Sequence, residues 1–105
     1  MPKIFLDDIR PAPPGWMVFR TAEELLEFIF SVLGGDLSRV EAMSLDHDLG
    51  EGRLSGYDFL TRLEKAAFDG EVKGICGVSF VIHSANPVGR RNMQAVIDAI
   101  RRHLC

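Results

Sequence analysis

Missing from this sequence are the usual signatures of nucleotide and zinc chemistry. There is no G-x-x-x-x-G-K-S/T phosphate loop, no dinucleotide-binding glycine fingerprint and no H-E-x-x-H motif. Cysteine is scarce. Cys76 and Cys105 are too few for a disulfide framework and lack zinc-site spacing. They read as one half-buried thiol and one thiol at a frayed terminus, which suits a reducing cytosol. Cys76 also precedes the last predicted strand, at the wrong end for thiol catalysis beside a histidine. No apolar run approaches the ~20 residues of a membrane span. The N-terminus has no basic region followed by a long apolar segment. A soluble cytoplasmic protein with no membrane partner is expected. The net charge of -3 provides no basic field for a long nucleic acid duplex. Nine arginines can still cluster around a nucleotide or an RNA end.

What is present has the composition of one soluble globular domain, with 47% hydrophobic and 26% charged residues. Lys3-Ile4-Phe5-Leu6 is a short strand whose unbroken apolarity suggests cover on both faces. Arg10 to Gly15 holds Pro11, Pro13 and Pro14 and must be a loop. Trp16 to Phe19 is a second strand. Thr21 opens a helix with Ala22, Leu25, Leu26, Ile29 and Leu33 on one face, and Gly34-Gly35 ends it. Val40 to Leu45 is the third strand. Ser55 and Asp58 cap a helix that buries Phe59, Leu60, Leu63 and Ala67 and closes at Asp69-Gly70. Val78 to Ile82 is the fourth strand, and Asn86-Pro87 starts a last helix.

Strands alternating with helices predict a single α/β domain, a four-stranded parallel sheet flanked by three helices, and right-handed crossovers restrict its topology to a few possibilities. Ligands of such sheets bind beyond the carboxyl ends of the strands. There the sequence gathers Asp7 and Asp8 after the first strand, and Asp46, His47 and Asp48 after the third. His83, Ser84 and Asn86 follow the fourth, with Arg10, Arg53, Arg90 and Arg91 in or near the same loops. His103 sits in the last helical turn, where it complements the helix dipole.

Two imidazoles at one edge suit general acid–base chemistry near neutral pH. Aspartate can fix a tautomer. The start of the last helix, with Ser84 and Asn86, offers donors to a phosphate, and Arg10 or Arg90 adds charge-assisted bonds. Phosphodiester chemistry is therefore expected, with His47, His83 and Asp46 as catalytic residues in no assigned order of acid and base. No cofactor is required in that reading. The alternative places Mg²⁺ on Asp7, Asp8 and Asp48, since that ion prefers oxygen ligands.

Asp7-Asp8, an aspartate after the third strand, Gly56 entering a helix and Ser84-Ala85 resemble a response-regulator receiver, a flavodoxin-like fold, which implies the strand order 2-1-3-4. That resemblance implies Mg²⁺ on the acids and phosphoryl transfer to one aspartate. Two features depart from it: a proline-rich loop replaces the first helix, and no lysine stands after a fifth strand. Three motifs resemble the cyclic-phosphate processing receiver domain family more closely. They are Leu6-Asp7-Asp8-Ile9-Arg10-Pro11, Ser44-Leu45-Asp46-His47-Asp48-Leu49-Gly50, and His83-Ser84-Ala85-Asn86-Pro87-Val88-Gly89 with Asn92-Met93. The resemblance spans nearly the whole chain. It implies His47 and His83 as a pair that hydrolyses a cyclic phosphate on a nucleotide or an RNA end, with Asp7, Asp8 and Asp46 in support. Two other readings stand beside it: a non-catalytic module that binds a nucleotide or a protein, and a phosphoacceptor modified on Asp46 or Asp48.

Overall fold

Short-range chemistry starts each helix where the sequence predicts. The Asn86 side chain accepts from the Gly89 N–H, and Pro87 takes the first helical position, so α3 runs Pro87–Leu104. A reciprocal capping box between Ser55 and Asp58 opens α2, Gly56–Phe68. Thr21 caps α1, Ala22–Glu27, which continues as a wider π turn over Phe28–Val32. There Leu33 N–H reaches back five residues to the Phe28 carbonyl at 3.1 Å. The single helix expected from Thr21 to Leu33 thus changes pitch midway, and Phe30 and Val32 remain exposed. The computed structural model describes residues 2–105.

The strands are β1 (Lys3–Leu6), β2 (Met17–Phe19), β3 (Ala42–Leu45) and β4 (Ser79–Ile82), all parallel, in the order β2-β1-β3-β4. A 3-10 turn at Ile75–Gly77 precedes β4. Right-handed crossovers explain where the helices go. The steps β2 to β3 and β3 to β4 move in one direction across the sheet, which puts α1 and α2 on the same face. Helix α3 packs beside α2. Ile4, Leu6, Met43 and Leu45 point to that face and form one core with Leu25, Phe59, Leu63, Met93 and Ile100. The step β1 to β2 runs the other way. It alone would put a helix on the second face, and it is the proline-rich loop.

The second face carries no helix, yet β1 is covered on both faces as expected, since Ile4, Phe5 and Leu6 are all buried. Phe5, Ser44 and Val81 lie there, in one row. Phe5 is covered by the edge of the Trp16 ring at 6.4 Å and by the stacked His83 imidazole at 4.6 Å. Val18 and Val81 stay partly open to solvent.

The outer edge of β4 is closed by α3. The N–H groups of Ser79 and His83 bond inward to β3, so the carbonyls of Val78, Ile82 and Ser84 turn outward. Arg90 Nη1 donates to Ile82 O at 3.1 Å and to Ser84 O at 3.0 Å. Arg101 donates to Cys76 O at 3.1 Å and also to Val78 O.

Cys76 and Cys105 form a disulfide, with Cα atoms 5.7 Å apart. This corrects the expectation of two separate thiols. Eighteen residues of α3 run back along β4 and bring the chain end to the turn where β4 starts. With the sulfurs joined, cysteine usage no longer supports a reducing compartment. Among the described residues, no helix is long and apolar enough to cross a membrane.

Candidate functional site

The last paired row of the sheet is Phe19, Leu6, Leu45 and Ile82. Asp7, Asp46 and His83 are the next residues, and their N–H groups extend the ladder to Phe19 O, Leu6 O and Leu45 O at 3.1, 2.9 and 3.0 Å. Side chains alternate along strands, so these three point away from the helices. One ligand atom from each lies within 4.8 Å of the others. The three aspartate- and histidine-bearing strand ends thus converge because the register makes them neighbours.

His83 is held on every side. Its Nε2 lies 3.0 Å from Asp7 Oδ2, its Nδ1 lies 2.7 Å from Ser44 Oγ, and its ring stacks on Phe5 within 3° of parallel. Asp7 is wholly buried, and its Oδ1 accepts from the N–H groups of Ile9 and Arg10 at 3.0 and 2.8 Å. Burial pushes the Asp7 pKa up. Those two bonds and the His83 contact together outweigh it, so the carboxyl titrates below its ordinary value. Arg10 bridges the loop and β4: its Nη1 donates to His83 O at 3.0 Å and its Nε lies 3.8 Å from Asp7 Oδ2. Arg20 Nη1 donates to the carbonyls of Asp7 and Arg10, at 3.0 and 2.6 Å, and braces the same loop.

His47 follows Asp46 and turns to the other side of the sheet edge, against the start of α3. A Cβ at Gly89 would fall 2.6 Å from His47 Cδ2, so glycine is what lets the ring lie there. His47 Nδ1 is 3.0 Å from Asp48 Oδ1, and this bond, opposed by desolvation and helped by Asn86, lowers the Asp48 pKa. Among the described residues, His47 Nε2 has no hydrogen-bond partner. Asp46 Oδ1 accepts from the His47 N–H at 2.8 Å and so joins the two halves.

Ser84 is buried, and its Oγ accepts from the Asn86 N–H at 3.1 Å. Asn86 caps α3 and reaches Asp48 Oδ2 at 3.4 Å. Arg90 Nη1 lies along the β4 edge on two carbonyls. Asp8 and Asp48 line a cleft of about 460 Å³ with Leu49, Glu51, Arg53 and Ser55, rather than joining Asp7. The chain contains no hydrogen bond between His47 and His83 among the described residues.

The chemistry of the donors tests the fit of a metal. Asp7, Asp46 and His83 supply two carboxylates and an imidazole, and Asp8 and Asp48 do not enter that group. Mg²⁺ prefers oxygen ligands alone, whereas a mixed nitrogen and oxygen set suits a transition-series dication. The expected Mg²⁺ set of Asp7, Asp8 and Asp48 is therefore not the one that converges.

Three contributors escape the sequence reading. Ser44 is a lone hydroxyl two residues before Asp46, and that spacing of two is a signal that both face one way in a strand. Phe5 stands two before Asp7 in the same relation. Gly89 is visible only as part of the helix start.

The description of the cyclic-phosphate processing receiver domain matches residues 2–99. The chain belongs to that family. The match takes in all four strands and every residue of the site. No curated protein and no solved structure matches the chain. As a cyclic-phosphate processing receiver domain, the chain is a degenerate receiver in one concrete sense: two carboxylates and an imidazole crowd its carboxyl edge, where the sequence provides no lysine.

Proposed function

We propose that this receiver domain hydrolyses a cyclic phosphate, on a nucleotide or on an RNA end, at the carboxyl edge of its sheet. The observation that carries the reading is the pair of imidazoles, each bonded to its own carboxylate, on opposite sides of that edge. In-line displacement at phosphorus needs the attacking water and the departing oxygen on opposite sides, and two separated groups meet that need. His47 is the base. Asp48 accepts from Nδ1–H, which leaves the Nε2 lone pair free to take a proton from water. His83 in its charged form is the acid: its Nε2–H, held by Asp7, passes to the ligand's leaving oxygen, and the ring is left neutral with its other proton on Nδ1, facing Ser44. The water oxygen bonds to phosphorus, one ring P–O bond breaks, and a phosphate monoester with a free hydroxyl results. Arg10 and the amino end of α3, which Ser84 and Asn86 shape, offset the phosphate charge.

A second reading is favoured by the convergence of Asp7, Asp46 and His83. A dication held there would polarise a phosphate oxygen, with Ser44 fixing the His83 ligand from behind. One experiment separates the two. The protein is incubated with 2′,3′- and 3′,5′-cyclic nucleotides and with cyclic-phosphate-ended RNA, with and without chelator. The acid–base reading expects turnover that resists chelation, follows a bell-shaped pH curve and disappears in both His47→Ala and His83→Ala. Loss on chelation supports the metal. No turnover of any cyclic phosphate by the wild type overturns both and leaves a binding module.

A further inference from the structure

Ser44 is a buried hydroxyl in the middle of an apolar strand, 7% exposed, with a single hydrogen-bond partner among the described residues. That partner is His83 Nδ1 at 2.7 Å. A serine in such a strand gives up packing that valine would provide, and its buried oxygen must be satisfied.

The other side of the ring determines what Ser44 does. Asp7 Oδ2 is 3.0 Å from Nε2, and an ionised carboxylate can only accept. The ring proton therefore belongs on Nε2. A neutral imidazole then presents a lone pair at Nδ1, which needs a donor, and the Ser44 O–H is the one in place. When the ring is protonated, Nδ1–H becomes a donor and the same hydroxyl rotates to accept. A carboxylate in this position would favour only the charged form, and a backbone N–H would favour only the neutral one. A hydroxyl serves both, so His83 can gain and lose a proton without leaving its place. Phe5, stacked on the ring, fixes the remaining rotation.

We infer that Ser44 is the positioning residue of His83: its hydroxyl satisfies Nδ1, holds the ring in place and keeps the proton of the neutral ring on Nε2, facing Asp7. The functional part of this inference rests on the proposal that the charged ring gives its Nε2 proton to the leaving oxygen, with the Nδ1–H that remains donated to Ser44.

The test reads the ring directly. In protein labelled with ¹⁵N-histidine, the wild-type His83 resonances of the neutral ring are expected to show a protonated Nε2 and an unprotonated Nδ1. Ser44→Ala is expected to give mixed tautomers, and Ser44→Thr, which keeps the hydroxyl on a strand-compatible residue, to restore the wild-type pattern. With whichever cyclic phosphate the wild type hydrolyses, Ser44→Ala should lower kcat by about 10- to 100-fold while KM changes little. An unaltered tautomer in Ser44→Ala, or a Ser44→Thr protein as impaired as Ser44→Ala, overturns the inference. A tautomer change without turnover of any substrate leaves the positioning role standing and removes the proposed activity instead.

Discussion

Asp7 is fully buried with three donors converging on its carboxyl: two backbone N–H groups and His83 Nε2–H. Removing it strands all three. Asp7→Ala is expected to cost about 3 kcal/mol, measured by urea unfolding at neutral pH. The pH dependence carries a second signature. Because the folded pKa lies below the ordinary carboxyl value of about 3.9, the unfolded state takes up the proton first as pH falls. The stabilisation is complete above that value and disappears as pH drops through the folded pKa. Wild-type stability should therefore fall on acidification below about pH 4 by more than that of Asp7→Ala. At this scale the sequence was only half legible. Asp7 and Asp8 are chemically identical neighbours, and nothing local says that one enters the site while the other lines a cleft. The alternation of the strand decides it, and that needs the register. The same limit applies to Asp46 and His47, which leave the strand end on opposite sides. The two imidazoles expected at one edge thus lie on opposite sides of it.

At the scale of elements, the helix starts were readable because their chemistry is local. Asn86 with Pro87, and Ser55 with Asp58, carry their partners within three residues. The π turn was not readable, since the apolar stripe from Ala22 to Leu33 tolerates either pitch. Helix α3 also does more than cover the core. Its first turn supplies the backbone against which His47 rests, so helix and site share one residue, Gly89. In a helix, Gly→Ala normally helps by up to about 1 kcal/mol. Here the new methyl group would occupy the imidazole's space. Gly89→Ala is expected to change the unfolding free energy by no more than about 1 kcal/mol while turnover falls at least about tenfold. Parallel measurements of thermal unfolding and cyclic-phosphate hydrolysis check it. Unchanged turnover would mean that His47 has room to step aside without consequence.

Across the whole molecule, the parallel sheet followed from the alternation of strands and helices, and the strand order from the resemblance to receivers. The bare second face followed from handedness once Arg10 to Gly15 proved to be a loop. The disulfide did not follow. Two cysteines separated by 29 positions declare nothing until α3 brings one back to the other. Closing a loop of that size is worth about 3.6 kcal/mol in the chain-entropy account. Denaturant unfolding with and without a thiol reductant should differ by about that amount, and Cys76→Ser with Cys105→Ser should behave like the reduced wild type. Because the bridge lies at the amino end of β4, the Asp7–His83 contact at the other end should survive reduction.

The arginines of α3 have a consequence for crowded solutions. A strand at the rim of a sheet ordinarily offers its carbonyls to any passing extended chain, which is how fibrils recruit. Along β4 those oxygens already hold guanidinium groups from Arg90 and Arg101. An incoming strand would have to evict charged donors and would meet positive charge where it sought a ladder. The same side chains that anchor a helix thus act as a gatekeeper, keeping a half-bare sheet from becoming a template.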